Sequence, residues 1–120
     1  MRFMSFITTA NQDPPTPELL EAMHRLADRE LKAGRMIDDG MLAPMAGGAV
    51  ITLSGGKLTV LDGPMVEAKE VIGGYAIFEF RNKEEAVASA KEFLQLHKDH
   101  MPGWEGVCEV REMFSRDAGG

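Results

Sequence analysis

The amino-acid sequence predicts an α+β domain in which two helices cover one face of an antiparallel sheet. Two observations support this prediction. Apolar residues recur at helical spacing in two segments, and strand-like segments with period-two alternation flank each of them. The resulting order of elements is strand, helix, strand, then a hairpin, then strand, helix, strand.

The first half of the chain begins with an apolar, β-prone strand at Phe3–Thr8. After two prolines break the chain, Thr16 caps a helix that has Pro17 at its first position. Gly34 ends this helix, and Arg35–Asp39 is read as a short strand. Apolar spacing predicts the buried stripe of the helix to be Leu20, Met23, Ala27 and Leu31.

A tight hairpin is the strongest local signal in the chain. The segments Ala49–Ser54 and Lys57–Leu61 flank Gly55-Gly56, and a two-residue loop pairs position 54 with 57 and position 51 with 60. This register puts apolar side chains on one face and polar ones on the other, so the turn and the alternation agree. The apolar face consists of Ile51, Leu53, Leu58 and Val60.

The second half of the chain repeats the strand, helix, strand order. Ile72–Phe80 is a strand, Asn82 caps the second helix with Glu85 in a capping box, and Val107–Phe114 is the last strand. The inner stripe of this helix is predicted to be Ala86, Ala90, Phe93, Leu94 and His97. Two such units predict a ferredoxin-like sandwich, with residues 1–114 as one domain and residues 115–120 as a C-terminal tail.

Two of the predicted strands are apolar on both sides. In the strand Ile72–Phe80, one side carries Ala76, Phe78 and Phe80 and the other carries Tyr75 and Ile77. In the first strand, one side carries Phe3 and Ile7 and the other carries Met4 and Phe6. Two helices cover only one face of a sheet, and a face open to water normally carries polar residues. We therefore expect a second copy of the chain to cover the other face, giving a homodimer.

Composition excludes several classes of partner. The chain has 120 residues, enough for one core, and a net charge of −6, which disfavours nucleic acid as a partner. The short N-terminal apolar run fits neither a transmembrane helix nor a signal peptide, and no membrane contact is expected. Cys108 is the only cysteine, which suits a reducing compartment, so a cytoplasmic location is expected.

The connection from Asp62 to Tyr75 is much longer than the turn that would join two strands. It contains Gly63, Gly73 and Gly74, which are interpreted as positions that need positive φ or close backbone approach. No G-x-G-x-x-G opens a helix here, so the glycines do not form a dinucleotide fingerprint. The connection is therefore expected to fix a backbone shape that places carboxylates and a lysine at a site.

Three segments of this connection resemble the signature of the YCII-related proteins with a DGPF motif. They are Asp62-Gly63-Pro64-Met65, in which Met65 replaces the usual Phe, the run Glu67–Glu70, and Gly73-Gly74-Tyr75. Leu42-Ala43-Pro44 and Glu109-Val110-Arg111 fit the same pattern, and the resemblance covers residues 2–114. It implies a dimeric α/β barrel and a family without an agreed activity.

Three residues are the candidates for catalysis. Asp62 ends a strand, where its carboxylate could act as a base or, alternatively, close an Asx turn. The resemblance implies a histidine on the first helix, beside which His24 stands; a structural role is the alternative. His97 lies on the inner stripe near His100, but no third ligand is evident, so neither a metal nor another cofactor is expected, and the alternative is a helix-capping role.

A ligand site is expected in a cleft between the sheet and the connection. Arg111 is the one cationic residue expected on that sheet face, which favours a small anionic ligand. Glu109 and Arg111 could instead form an interface salt bridge, and the charges of the connection could be a solvated surface. The expected ligand-binding residues are Gly63, Pro64, Met65, Lys69, Tyr75, Glu109 and Arg111.

Three functions remain open at this point, and the residues do not decide whether the protein is an enzyme. The first is an enzyme that acts on a small organic acid or lactone-like molecule by acid–base chemistry. The second is a non-catalytic ligand-binding or regulatory module with a protein partner, of the sigma-factor-associated type that the resemblance implies. The third is a structural dimer without a ligand.

Overall fold

The structure is a computed structural model that describes residues 1–63 and 70–116. In these ranges the chain forms two α-helices, six β-strands and one turn of 3-10 helix at Met45–Gly47. In chain order they are β1 (Arg2–Thr9), α1 (Pro17–Lys32), β2 (Met36–Met41), β3 (Ala49–Ser54), β4 (Lys57–Asp62), β5 (Val71–Glu79), α2 (Lys83–His100) and β6 (Val107–Glu112). Among the predicted strands, β6 ends two residues early, and Phe114 is 85 % exposed.

Four of the strands form one antiparallel sheet with the order β2-β5-β1-β6. The two central strands therefore come from different β-α-β units, which is the interleaving expected of a ferredoxin-like sandwich. The predicted α+β class, antiparallel sheet and two helices are confirmed. Strands β3 and β4 pair only with each other, as a separate two-stranded sheet.

Capping side chains fix where both helices begin. The Thr16 hydroxyl oxygen accepts the backbone N–H of Leu19 at 3.1 Å, and the Asn82 carbonyl oxygen accepts that of Glu85 at 2.9 Å. The reciprocal half of the predicted capping box differs. Glu85 accepts the backbone N–H of Arg81 at 2.8 Å and also binds the Arg81 guanidinium.

The predicted stripe of α1 lies one position from its most buried residues: Leu20, Met23 and Ala27 are half-buried, and only Leu31 is exposed. The buried residues are Leu19, Ala22 and Glu30, whereas Leu31 is 51 % exposed. The pattern missed Glu30 because a carboxylate is buried only when it is paired. Here Arg35 and Arg29 donate to it, so tertiary pairing rather than apolar spacing determines the inner face.

The core lies between the helices and one face of the sheet. Phe78 and Phe80 stack with ring centroids 5.0 Å apart, and Phe3 packs beside them. The predicted assignment of residues to the two sides of β1 and β5 is confirmed, because Phe3 and Phe78 face the helices whereas Met4 and Ile77, the next residues along, face away. The core and the residues packed on it are Phe3, Phe78, Phe80, Ala86, Met36, Ala76 and Val110.

The hairpin of β3 and β4, residues 49–62, is called the arm below. Its register is as predicted, with Ser54 opposite Lys57 and Ile51 opposite Val60. Gly55 and Gly56 have φ of 58° and 77°, and two positive values are what a type I′ turn requires. Every residue of both strands is exposed, so the arm projects from the domain instead of covering its core.

Candidate functional site

The side of the sheet away from the helices is called the open sheet face. Its centre is apolar and is made by Met4 and Phe6 of β1 with Ile77 and Tyr75 of β5, which stand opposite each other in that order. All four are only partly buried in the single chain. These apolar residues provide a floor on which a small molecule or another protein surface could rest.

A tyrosine–aspartate pair stands at one side of this floor. The Tyr75 hydroxyl donates to the Asp38 carboxylate at 3.2 Å, across β5 and β2. The ring lies over Gly40, where a Cβ atom would come within 2.7 Å of the Tyr75 Cε1 atom. A register shift between Met36 and Asp38 sets the position of the carboxylate, as an irregularity in a strand re-aims the side chains that follow it.

The charge of Asp38 raises the pKa of Tyr75, and the hydrogen bond between them raises it further. A phenol whose pKa is raised keeps its proton at neutral pH. Tyr75 is thus a hydrogen-bond donor and Asp38 the acceptor. The pair combines a proton donor and a carboxylate acceptor beside an apolar surface, which is the equipment for acid–base chemistry.

The opposite side of the floor carries an ion pair, formed by Glu109 and Arg111. Glu109 stands opposite Phe6 and Arg111 opposite Met4, so both lie on the open sheet face as predicted. Their side chains approach to 3.9 Å, and the Arg111 side chain is 73 % exposed. A pair this long and exposed holds its partners weakly, which leaves the guanidinium available to an anion.

The expectation that Arg111 is the only cation of this face is wrong. Strand alternation puts Arg2 on the same side as Met4, at the far end of β1. Arg2 contacts Glu79 at 3.6 Å. The open sheet face therefore carries a charged pair on β6 and another at the β1–β5 end, with the apolar floor between them.

The three candidate catalytic residues lie on three separate elements. His24 is exposed on α1, Asp62 is exposed at the end of β4 opposite Ala49, and His97 is buried on α2. In the described part of the chain, no hydrogen bond or ion pair joins any two of them. Their joint use in one site remains a prediction.

His97 has the surroundings of a core residue. Its Nδ1 atom lies 3.0 Å from the Phe93 carbonyl oxygen, which makes Nδ1 the donor, and its ring packs on Trp104 with centroids 4.3 Å apart. Burial lowers the pKa of His97, so the neutral ring is favoured. Burial likewise raises the pKa of the Cys108 thiol, which favours the uncharged thiol there.

The glycines of the connection have different roles. Gly63 is buried, its N–H donates to the Gly48 carbonyl oxygen at 2.7 Å, and a Cβ atom there would overlap the carbonyl oxygen of Met45. At Gly74 a Cβ atom would lie 3.0 Å from the Gly40 oxygen, whereas Gly73 has open space around it. None of the three has a positive φ. Pro64, Met65 and Lys69, also expected at the site, lie outside the described residues.

Two open depressions indent the described surface. One, of about 510 Å³, is lined by Arg35, Arg81 and the N-terminal residue, and the other, of about 390 Å³, is lined by Trp104 and its neighbours. The four floor residues of the open sheet face line neither of them.

In the described ranges, no helix is both long and apolar enough to cross a membrane.

Sequence reasoning missed Asp38 and Gly40. The available signal was Asp38-Asp39-Gly40 at the end of a short predicted strand and just after it, since aspartate and glycine are uncommon in strands unless they have a specific role. Their partner Tyr75 is 37 positions from Asp38, so the pair became visible only when the strand register was known.

One comparison with known proteins identifies a family, and it covers almost the whole fold described above. The family model of the YCII-related domain matches residues 1–113. No curated protein matches the chain. The match spans β1 to β6 and therefore includes the open sheet face, the arm and both helices. The chain belongs to the YCII-related domain family.

Proposed function

We propose that this YCII-related domain is a homodimer that binds a small organic acid or lactone-like molecule on its open sheet face and acts on it by acid–base chemistry. The observation that supports this proposal is the Tyr75–Asp38 pair, which stands at the edge of an apolar floor. A few polar groups that converge beside apolar walls are the usual composition of a small-molecule site.

The roles follow from the chemistry of each group. The Asp38 carboxylate accepts a proton from an acidic C–H or O–H of the ligand, and the Tyr75 phenol, whose single O–H donates to Asp38, holds that carboxylate in place. Arg111, on the other side of the floor, pairs with the carboxylate of an anionic ligand. Asp62, His24 and His97 remain candidates for the same reaction, although no contact links them to the pair.

The thickness of the molecule supports the homodimer. The molecule is 20 Å thick along its shortest axis, which is about one sheet and one layer of helices. Phe6, Met4 and Ile77 are then partly exposed at the surface of the described part of the chain. A second copy packed on this face would bury them and enclose the ligand, and only then would the face form a cleft.

Binding can be tested with benzoate as an anionic probe and benzamide as its neutral counterpart. Backbone amide resonances of Phe6, Tyr75 and Ile77 should shift saturably with benzoate and less with benzamide. Arg111→Gln should weaken benzoate binding roughly tenfold or more, because a charge-assisted pair is lost. Arg25→Gln, a change at an exposed surface pair on α1, is the matched control. Equal weakening in both variants would contradict the assigned role of Arg111.

The acid–base step can be tested separately by deuterium exchange. A butenolide lactone with an acidic C–H is incubated with the protein in D2O, and its deuterium content is followed by NMR. Exchange should be accelerated by the wild type, lost in Asp38→Asn, and retained in Asp28→Asn. Acceleration that survives in Asp38→Asn would remove this residue from the mechanism.

A non-catalytic module that binds a partner protein is the second candidate. The observation that favours it is that the four apolar residues of the floor are partly exposed in the single chain, beside the exposed residues Asp38 and Arg111. Saturable binding of small acids without any exchange would favour a ligand-binding module. Absence of both would favour a partner-binding module.

A further inference from the structure

The arm carries a second apolar surface that nothing in the described chain covers. Its apolar side chains are 62–72 % exposed, which is unusual for a contiguous group on a monomeric protein. The opposite face of the same arm carries Thr52, Thr59 and Lys57 towards its tip, and its apolar residues, Val50 and Leu61 near the base, are less exposed at 38 and 47 %. The contiguous apolar group on the first face consists of Ile51, Leu53, Leu58 and Val60.

The base of the arm is fixed to the domain. Buried Gly63 donates its N–H to Gly48 and packs on the carbonyl groups of Met45 and Ala46, the latter within 2.5 Å of a Cβ position. Leu42 donates to the Gly73 oxygen at 3.0 Å on the other side of the connection. The two ends of the arm are therefore held together at its base, and the segment before it is joined to β5.

The molecule is less compact than a chain of this length usually is, as expected if the arm lies outside the core. The radius of gyration is 16.3 Å. A compact chain of this length would have roughly 13–14 Å. An isolated two-stranded hairpin is marginally stable in water, and an uncovered apolar one promotes aggregation. These costs disappear if the arm packs on another surface.

We propose that the apolar face of the arm packs on the open sheet face of a second copy, and that two copies exchange arms reciprocally. This inference rests on the homodimer of the proposed function and adds how the dimer is held and closed. Each chain supplies one uncovered apolar arm and one uncovered apolar sheet face, so a two-fold arrangement covers both with no other partner. Asp62, on the apolar side of the arm at its base, would then lie at the interface.

The area available is sufficient for a stable dimer. Burial of an aliphatic side chain removes roughly 60–120 Å² from water at the usual conversion. With both arms and the surfaces they cover, the contact is on the order of 1,000–2,000 Å², the range of specific stable interfaces. A foreign protein would need the same area on each arm and would leave the second apolar surface of the chain uncovered.

Sedimentation equilibrium of paired variants tests this proposal. Leu53→Asp with Leu58→Asp should raise the dimer dissociation constant at least 100-fold. Thr52→Asp with Thr59→Asp adds the same charge to the opposite face of the same strands and should raise it less than fivefold. Circular dichroism checks that both variants retain the fold, which is expected because the arm contributes nothing to the core.

Photo-cross-linking gives a second readout that does not depend on dimer affinity. A benzophenone is attached at Leu53→Cys in a Cys108→Ser background, with Thr52→Cys as the matched control. Mixed ¹⁴N and ¹⁵N protein distinguishes links between chains from links within a chain. Links between chains to peptides of β1, β5 or β6 are expected from position 53 and not from position 52.

The outcomes separate this inference from the proposed function. A wild-type dimer that the Leu53 and Leu58 changes leave intact would overturn the arm exchange and preserve the homodimer. Links between chains that join only arm to arm, or links only within a chain, would also overturn it. A wild-type monomer at micromolar concentration would overturn both proposals together.

Discussion

At the scale of single residues, the site depends on glycines that make room for neighbours. Gly40 lies beneath the Tyr75 ring, and Gly63 seats the base of the arm against the 3-10 turn. Neither has a positive φ, so the requirement is for space rather than for an unusual backbone conformation. The sequence indicated that glycines were needed in the connection, but only the packing separates Gly63 and Gly74 from Gly73.

Gly63→Ala should lower the free energy of unfolding by about 1–3 kcal/mol, the usual range for overpacking a tight site. Gly73→Ala is the matched control and should change it by less than about 0.5 kcal/mol, because nothing lies within 4 Å of its added Cβ atom. Urea midpoints of both variants give the comparison. Equal effects would show that the contact at Gly63 has no energetic importance.

His97 should make stability depend on pH. Burial lowers the pKa of the folded His97, whereas an unfolded histidine titrates near ~6.5. As the pH falls through that region, the unfolded chain binds a proton that the folded His97 ring does not bind. The free energy of unfolding therefore decreases, by at most about 1.4 kcal/mol per pH unit.

Urea unfolding between pH 8 and pH 5 measures this dependence, and His97→Gln should flatten it. His24→Gln changes an exposed histidine and should keep the slope of the wild type. A slope that persists unchanged in His97→Gln would assign the pH dependence to another group.

At the scale of elements, charged pairs join the helices to each other and to β2. The Arg29 guanidinium donates twice to the Glu92 carboxylate, at 2.8 and 2.6 Å, which connects α1 to α2. Next to it, buried Glu30 accepts from Arg35, which precedes β2. Bidentate geometry and a buried carboxylate distinguish these pairs from ordinary surface pairs.

Glu30→Ala should destabilise the protein by about 1–3 kcal/mol, because two guanidinium groups lose a buried partner. Arg35 lowers the pKa of Glu30 through its hydrogen bond, so this contribution is present above the ordinary glutamate pKa of about 4.3 and is lost as the pH falls through the lower folded value. Glu21→Ala, at an exposed i,i+4 pair, should cost less than about 0.5 kcal/mol. Thermal melts at pH 7 and pH 3 measure both effects, and a Glu30→Ala cost that is no larger than that of Glu21→Ala would contradict the buried pair.

At the scale of the whole molecule, the described residues of one chain leave two apolar surfaces exposed, one of them partly. The helices use one face of the sheet for the core, and the arm extends without joining it. A second copy would resolve both exposures, and it would bring the Tyr75–Asp38 pair into an enclosed space. Ligand binding and dimer formation are thus expected to support each other.

The thermal midpoint should rise with protein concentration, since a dimer is stabilised by mass action. A hundredfold increase corresponds to about 2.7 kcal/mol, which for a domain of this size is roughly 5 °C or more. Calorimetry at 1 and 100 μM measures the change, and the Leu53 and Leu58 arm variant should show a smaller one. A midpoint that does not depend on concentration would indicate a folded monomer.

Features that depend on neighbours within a few residues could be predicted from the amino-acid sequence. Thr16 and Asn82 cap their helices, Gly55 and Gly56 set the arm register, and alternation assigns Phe78 and Tyr75 to opposite faces, because each rule acts over one turn or one strand pair. The family signature was readable for the same reason.

Contacts between residues far apart in the chain became visible only in the folded structure. Asp38 reaches Tyr75 through a register shift in β2, and Glu30 is buried because Arg35 is near enough to pair with it. It also left His24 exposed on α1, whereas the burial of His97 was already predicted from its place on the inner stripe of α2. Such meetings depend on strand register and packing across the whole fold, which local spacing in a sequence does not encode.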